Sequence, residues 1–123
     1  TVKSYDHPAG LVREDVGVIG SLGLMPSACI GTVKSYVEPA HGSAPDIAGR
    51  DIANPYSMIG SIALMLERCL NLAREASDVW NALFTVFEQG YTTADLSEGP
   101  NESRKLLSTS EFGDLVVEYI EKG

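Results

Sequence analysis

The stretch Glu38–Pro55, reading Glu-Pro-Ala-His-Gly-Ser-Ala-Pro-Asp-Ile-Ala-Gly-Arg-Asp-Ile-Ala-Asn-Pro, constrains this chain more than any other part of it. Gly42 and Gly49 open backbone angles closed to other residues, while Pro39 and Pro45 hold φ in one narrow range, so the loop bends at chosen points. Asn54-Pro55 then reads as a helix start. The Asn side chain caps orphan N–H groups, and the proline, with no N–H to lose, takes the first helical position. A shaped loop is thereby delivered to the positive end of a helix, an arrangement that favours an anionic or polar ligand. Asp46, between Pro45 and a short apolar run, is placed to accept hydrogen bonds from a sugar diol and to repel a phosphate. The same residues also fit an Ω-loop pinned by its own side chains with nothing bound. Chemistry alone leaves the two readings level.

The rest of the chain limits what such a loop can serve. A length of 123 residues allows one domain and one core, burying roughly 65% of the surface of the unfolded chain. The formal net charge of -8 disfavours nucleic acid and anionic membranes as partners. No window of the sequence is apolar enough for a membrane span and no signal-peptide pattern is present, so the expectation is an intracellular protein, cytoplasmic or of the mitochondrial matrix. A small molecule is the expected ligand. Cys29 and Cys69 have no metal-ligand spacing and are expected as buried free thiols.

Read in order, the chain opens on a repeat. Thr-Val-Lys-Ser-Tyr occupies 1–5 and recurs at 32–36, and its alternation of apolar and polar residues predicts a short strand for each copy, paired together or within one sheet. Residues 11–30 carry a short helical pattern and a turn punctuated by Gly17, Gly20 and Gly23. Ile59, Ile62, Ala63, Leu66 and Leu70 recur at helical spacing and predict a buried helix over 54–70, with Met58 and Met65 as core filler. A second helix is expected over 72–89, its apolar stripe formed by Ala76, Val79, Trp80, Leu83, Val86 and Phe87 and its end marked by Gly90. Residues 91–107 read as an exposed polar loop. Ser108 and Glu111 form a capping box for a last helix to about Glu121, with Phe112, Leu115, Val116, Tyr119 and Ile120 on its apolar face. Three helices with two or three short strands make an α/β unit, or α+β if it stands alone.

Residues Glu38–Gly49 with Ile52-Ala53-Asn54-Pro55 resemble the adenosine-binding loop of the β-decarboxylating dehydrogenases, which act on isopropylmalate, isocitrate, homoisocitrate or tartrate. Gly20-Ser21-Leu22-Gly23-Leu24-Met25-Pro26-Ser27-Ala28, Thr93-Ala94-Asp95-Leu96 and Ser108-Thr109-Ser110-Glu111-Phe112-Gly113-Asp114 are similar to the same family at matching distances. The resemblance covers 20–123 and corresponds to the C-terminal third of such an enzyme, leaving 1–19 as a divergent segment with the duplicated strand. It implies that NAD is held by Glu38, His41, Gly42, Ser43, Ala44, Asp46, Ile47 and Asn54. It also implies a preference for NAD over NADP, since the NADP-using members place a basic and an aromatic residue where Asp46 and Ile47 stand here. The family's metal-binding aspartates fall on positions 9 and 13, occupied by Ala9 and Arg13, so no metal is expected; the nearby Glu14 and Asp15 read as a solvated acidic helix face.

The family's arginine cluster and its Tyr and Lys acid/base pair belong to parts that do not match this chain. Catalytic candidates among its own titratable groups are Asp6 and His7 near Tyr5, with Glu38 and His41 in the loop. No serine has an acid and a His at recognisable spacing, and Cys29 has no activating cation. Three functions follow: an NAD-binding module that is not a self-sufficient dehydrogenase; a repurposed, redox-neutral enzyme of the isomerase, dehydratase or cyclase kind; or a non-catalytic subunit. Because the family packs this region against elements encoded elsewhere, a homo-oligomer or a complementing chain is expected to cover the exposed apolar helix faces.

Overall fold

The computed structural model describes residues 24–97 and 104–123. Strands β1 (Pro26–Cys29) and β2 (Tyr36–Pro39) form an antiparallel pair with Ser27 opposite Glu38 and Ala28 opposite Val37. Helices α1 (Tyr56–Arg68) and α2 (Ala73–Glu88) follow. Strand β3 (Tyr91–Thr92), a 3₁₀ turn at Ala94–Leu96, strand β4 (Lys105–Leu106) and helix α3 (Thr109–Lys122) complete the order. The three helices and the α/β character agree with the sequence reading.

The hairpin corrects the strand expected at 32–36, of which only Tyr36 is extended. Residues 31–35 are the connection instead. An added Cβ on Gly31 would lie 2.3 Å from the Lys34 carbonyl oxygen, so the chain turns too tightly there for any side chain or ladder. The Gly31 N–H donates to Ser35 Oγ at 3.3 Å across the same turn. The first copy of the repeat, at 1–5, lies outside the described residues.

Helix α1 buries only part of the stripe its apolar periodicity indicated: Ala63 is buried and Ile59 packs against the core, but the best-covered face is centred on smaller residues. Ser57, Gly60, Ser61, Ala63 and Leu64 are buried, whereas Met58, Ile62 and Leu70 are 51%, 44% and 52% exposed. The reason is close approach. Ser57 Oγ donates to the Met25 carbonyl at 2.7 Å and Ser61 Oγ to the Ser57 carbonyl at 2.8 Å, so two hydroxyls sit satisfied inside the packing. Gly60 lies against Pro26 and Trp80, where β1, α1 and α2 meet. Small residues draw the helix onto the hairpin, and the larger apolar side chains are turned outward.

Helices α2 and α3 follow their patterns. Ala82, Leu83, Val86, Phe112 and Val116 form the core, and Phe87 meets both Tyr56 and Phe112 edge to face at centroid distances of 5.0 and 6.3 Å. Gly90, at φ 83°, terminates α2 by donating to the Phe87 carbonyl. The Ser108 and Glu111 capping box is present in both directions, at 3.1 and 2.9 Å.

The described residues of the segment expected as a polar exposed loop, 91–97 and 104–107, include two short strands and a 3₁₀ turn. β3 and β4 pair in parallel, Thr92 and Thr93 are buried, and Lys105 Nζ lies 4.8 Å from the centre of the Tyr91 ring. The pairing carries the chain from the end of α2 back to the start of α3 beside the Glu38–Pro55 loop. Cys29 is half-buried and Cys69 exposed, and neither is in a disulfide; burial of the second thiol is corrected by its place just past α1. Among the described residues no helix is long and apolar enough to cross a membrane.

Candidate functional site

The loop between β2 and α1 is a chain of tight turns. Ile47 N–H donates to the Ala44 carbonyl and Arg50 N–H to the Ile47 carbonyl, each at 3.1 Å. Ala44, Gly49 and Asp51 all adopt positive φ, at 44°, 79° and 56°. Glycine takes such angles freely and Asp takes them more readily than most, whereas Ala44 is held there against its preference. These turns fold the loop around a cavity of about 670 Å³, within the usual range for a small-molecule site.

Six residues expected at the site line that cavity: His41, Gly42, Ser43, Ala44, Ile47 and Asn54. Asp46 and Glu38 are not in its wall. Asp46 is exposed, and Glu38 is on β2, where its carbonyl accepts from Ser27 Oγ at 2.6 Å. His41 is exposed with Nδ1 2.7 Å from the Gly42 carbonyl oxygen. That oxygen can only accept, so in this contact Nδ1 is the donor. Asp6 and His7 lie outside the described residues, as do Ala9, Arg13, Glu14 and Asp15. Among the described residues no three metal-ligating side chains come together.

Of the further cavity residues that sequence reading did not assign, Asp51, Asp95 and Thr109 carry the polar side chains. The Thr93–Leu96 and Ser108–Asp114 motifs flagged their segments without indicating that both would fold back onto the loop. Asp95 accepts from the Asn54 N–H at 3.0 Å and from Thr93 Oγ1 at 2.5 Å. Asp51 receives both the N–H and the hydroxyl of Ser110, at 2.9 and 2.8 Å. The Ser110 hydroxyl, then its N–H, holds the Asp51 carboxyl below the ordinary range.

Asn54 is the centre of the arrangement. Its Oδ1 accepts the Tyr56 N–H at 2.9 Å, two residues on, as an N-cap does, although regular helix begins only at Tyr56. Asn54 is 4% exposed, and its Nδ2 is buried with no hydrogen-bond partner among the described residues. A buried donor left unmatched is costly, and either water or a ligand can supply its acceptor.

A second cavity, about 790 Å³, lies between β1, α1 and α2 and is lined by Leu24, Pro26, Tyr56, Trp80, Phe84, Phe87 and Glu88. It is aromatic, with Trp80 stacked on a half-exposed Phe84 at 5.9 Å, and burial raises the Tyr56 hydroxyl above its ordinary pKa. It offers little convergent polar chemistry beyond Tyr56 and Glu88, whereas the loop cavity gathers a capped helix start, an orphan amide donor, a histidine and two carboxylates.

Residues 14–116 match the family model described as isocitrate/isopropylmalate dehydrogenase. Among curated relatives, the 3-isopropylmalate dehydrogenase of Thermotoga maritima is 47% identical over 112 residues, which are 91% of this chain and 30% of that enzyme. The enzyme of the same name from Rhizobium meliloti is 40% identical over 121 residues, 91% of this chain and 32% of the relative. The fold is similar to that of a β-decarboxylating dehydrogenase from Thermococcus kodakarensis, with a TM-score of 0.75 and 33% identity, covering 92% of this chain and 32% of the other. It is also similar to isocitrate dehydrogenase from Methylococcus capsulatus, with a TM-score of 0.73 and 35% identity, covering 85% and 30%. This chain therefore spans about a third of the length of the relatives it matches. By sequence and by fold, it belongs to the isocitrate/isopropylmalate dehydrogenase family.

Proposed function

We propose that this chain holds the adenosine half of NAD in the cavity beneath the Glu38–Pro55 loop and is not, by itself, a self-sufficient dehydrogenase. The observation that carries the reading is the buried, unmatched Nδ2 of Asn54 in the cavity wall. A purine ring nitrogen is an acceptor of the kind this donor lacks. Ile47 and Ala44 supply apolar surface for a base, and His41 lines the same cavity. Asp46, exposed on the same loop though not in the cavity wall, is the residue this reading assigns to the ribose diol. When bound, NAD supplies the hydride acceptor; the residues here bind and orient its adenosine end.

The preference follows from charge. A ribose phosphate next to Asp46 meets like-charge repulsion of about 1–2 kcal/mol at an exposed rim, which is roughly tenfold in affinity. Titration calorimetry of the 123-residue chain with NAD and NADP is expected to show the weaker binding for NADP. Equal affinities, or no binding of either, would overturn the reading. Oxidative decarboxylation additionally needs a divalent metal, a proton acceptor and cations for the substrate carboxylates. Ala9 and Arg13 stand at the positions that match the family's metal ligands, so an NADH-forming assay with isopropylmalate, isocitrate or tartrate and Mg²⁺ or Mn²⁺ is expected to give no turnover by this chain alone. Those same two residues favour, as the second reading, a redox-neutral use of the cavity.

A further inference from the structure

We infer that Asp51 is a positioning residue for the cavity, clasping the far arm of the loop onto the first turn of α3 and thereby setting the cavity's shape. The inference rests on the nucleotide reading only for the identity of the ligand. The contacts that argue for it are long-range in sequence. The Asp51 carbonyl accepts the Thr109 N–H at 2.9 Å, and its Oδ1 accepts the Ser110 N–H and hydroxyl at 2.9 and 2.8 Å. Thr109 Oγ1 donates to the Ala53 carbonyl at 2.5 Å. The turn bonds at Ala44, Ile47 and Arg50 are local and shape the loop without attaching it to the body of the protein.

The backbone at Asp51 points the same way. It is held at φ 56°, and a non-glycine residue keeps such an angle where surrounding contacts over-determine it. The N–H groups of the α3 first turn are matched within the chain: Thr109 and Ser110 by Asp51, Glu111 by Ser108 Oγ and Phe112 by the Ser108 carbonyl. The Asp51 carboxylate is thus the resident anion at the positive end of α3. That helix end anchors the cavity wall rather than presenting free donors to a ligand's phosphates. Both partners of the clasp, Asp51 and Thr109, line the cavity beside Asn54 and Asp95. Opening it releases the side of the cavity that carries Asp51 and Thr109.

The test compares Asp51→Gly, which accepts positive φ and removes only the carboxylate, with Ser110→Ala and the conservative Asp51→Asn. Amide hydrogen exchange on the ligand-free chain is read at 42–53 and, as internal reference, at the core of α2. Loss of a charge-assisted pair at an exposed site is expected to reduce loop protection about tenfold in Asp51→Gly, less in Ser110→Ala, with α2 unchanged and Asp51→Asn restoring most of it. NAD affinity by calorimetry is expected to fall about tenfold in Asp51→Gly and to recover in Asp51→Asn. Unchanged loop exchange in both Asp51→Gly and Ser110→Ala overturns the inference, as does a loss of protection spread equally over α2. If the unaltered chain binds no nucleotide, the functional proposal fails and the exchange measurements alone decide the clasp. If Asp51→Gly does not fold, Ser110→Ala decides it.

Discussion

Phe112 holds α3 to α2, and its replacement by alanine tests the packing on which the cavity depends. The side chain is fully buried among Leu83, Val86 and Val116 and meets Phe87 edge to face. Removing a buried phenyl ring costs about 3–5 kcal/mol, the lost transfer energy plus the cavity left behind, with about 0.5–1.5 kcal/mol of that from the ring pair. For a chain of 123 residues the total stability expected is ~6–18 kcal/mol, and the exposed Met58, Ile62, Leu70 and Phe84 argue for the lower end. The substitution then removes more than half of it. Urea unfolding followed by Trp80 fluorescence and far-ultraviolet circular dichroism is expected to show the midpoint falling by about 2 M at a slope near ~2 kcal/mol/M. Val117→Ala, at a position 54% exposed on the same helix, serves as control and is expected to change stability by no more than about 0.5 kcal/mol. A loss below about 1 kcal/mol for Phe112→Ala at unchanged slope would refute the reasoning, because α3 would then not be docked through this ring. Since α3 also carries Thr109, nucleotide binding is expected to weaken in step with stability.

Gly60→Ala sets a gain in helix propensity of about 1 kcal/mol against contacts of 3.1 Å to Pro26 Cβ, Pro26 Cγ and the Trp80 ring. A rigid proline and a stacked indole leave little room, so overpacking wins and net destabilisation of about 1 kcal/mol is expected; a stabilised variant would show that β1 yields. The Asp51 carboxyl is depressed on folding, so its contribution is present above the ordinary carboxylate pKa and is lost as pH falls through its folded value. The stability difference between the unaltered chain and Asp51→Asn is therefore expected to hold at neutral pH and to shrink below about pH 4; a difference that persists unchanged at pH 2 contradicts it. The outward apolar side chains of α1 are expected to be covered by a second copy of the chain, so light scattering should report a homo-oligomer that Met58→Glu with Ile62→Glu dissociates. A monomer at all concentrations sinks that expectation.

Helix existence, helix ends and the shaped loop were legible in the residues because each rests on local rules. The 3.6 period of Ala76, Leu83 and Val86, the reciprocal Ser108 and Glu111 cap, the stop at Gly90 and the Asn-Pro start all act within one or two turns of chain. Six of the eight expected site residues share one cavity for the same reason: they are neighbours in a loop whose bends are written in its Gly and Pro positions. The hydrophobic pattern of α1 held for Ile59 and Ala63 but not for Met58, Ile62 and Leu70, because burial there is decided by how closely the helix can approach β1 and α2, which favours Ser57, Gly60 and Ser61. Likewise Thr92 and Thr93 are polar by composition and buried in fact, since their surroundings are supplied by segments distant in sequence. The roles of Asp51, Asp95 and Thr109 depend on bonds across 41 to 59 residues, and no spacing rule reaches that far. The sequence by itself determined the elements, the loop and the family; tertiary structure decided which faces are covered, which carboxylates enclose the cavity and which amide is left without a partner, because those depend on the packing of elements that only folding brings together.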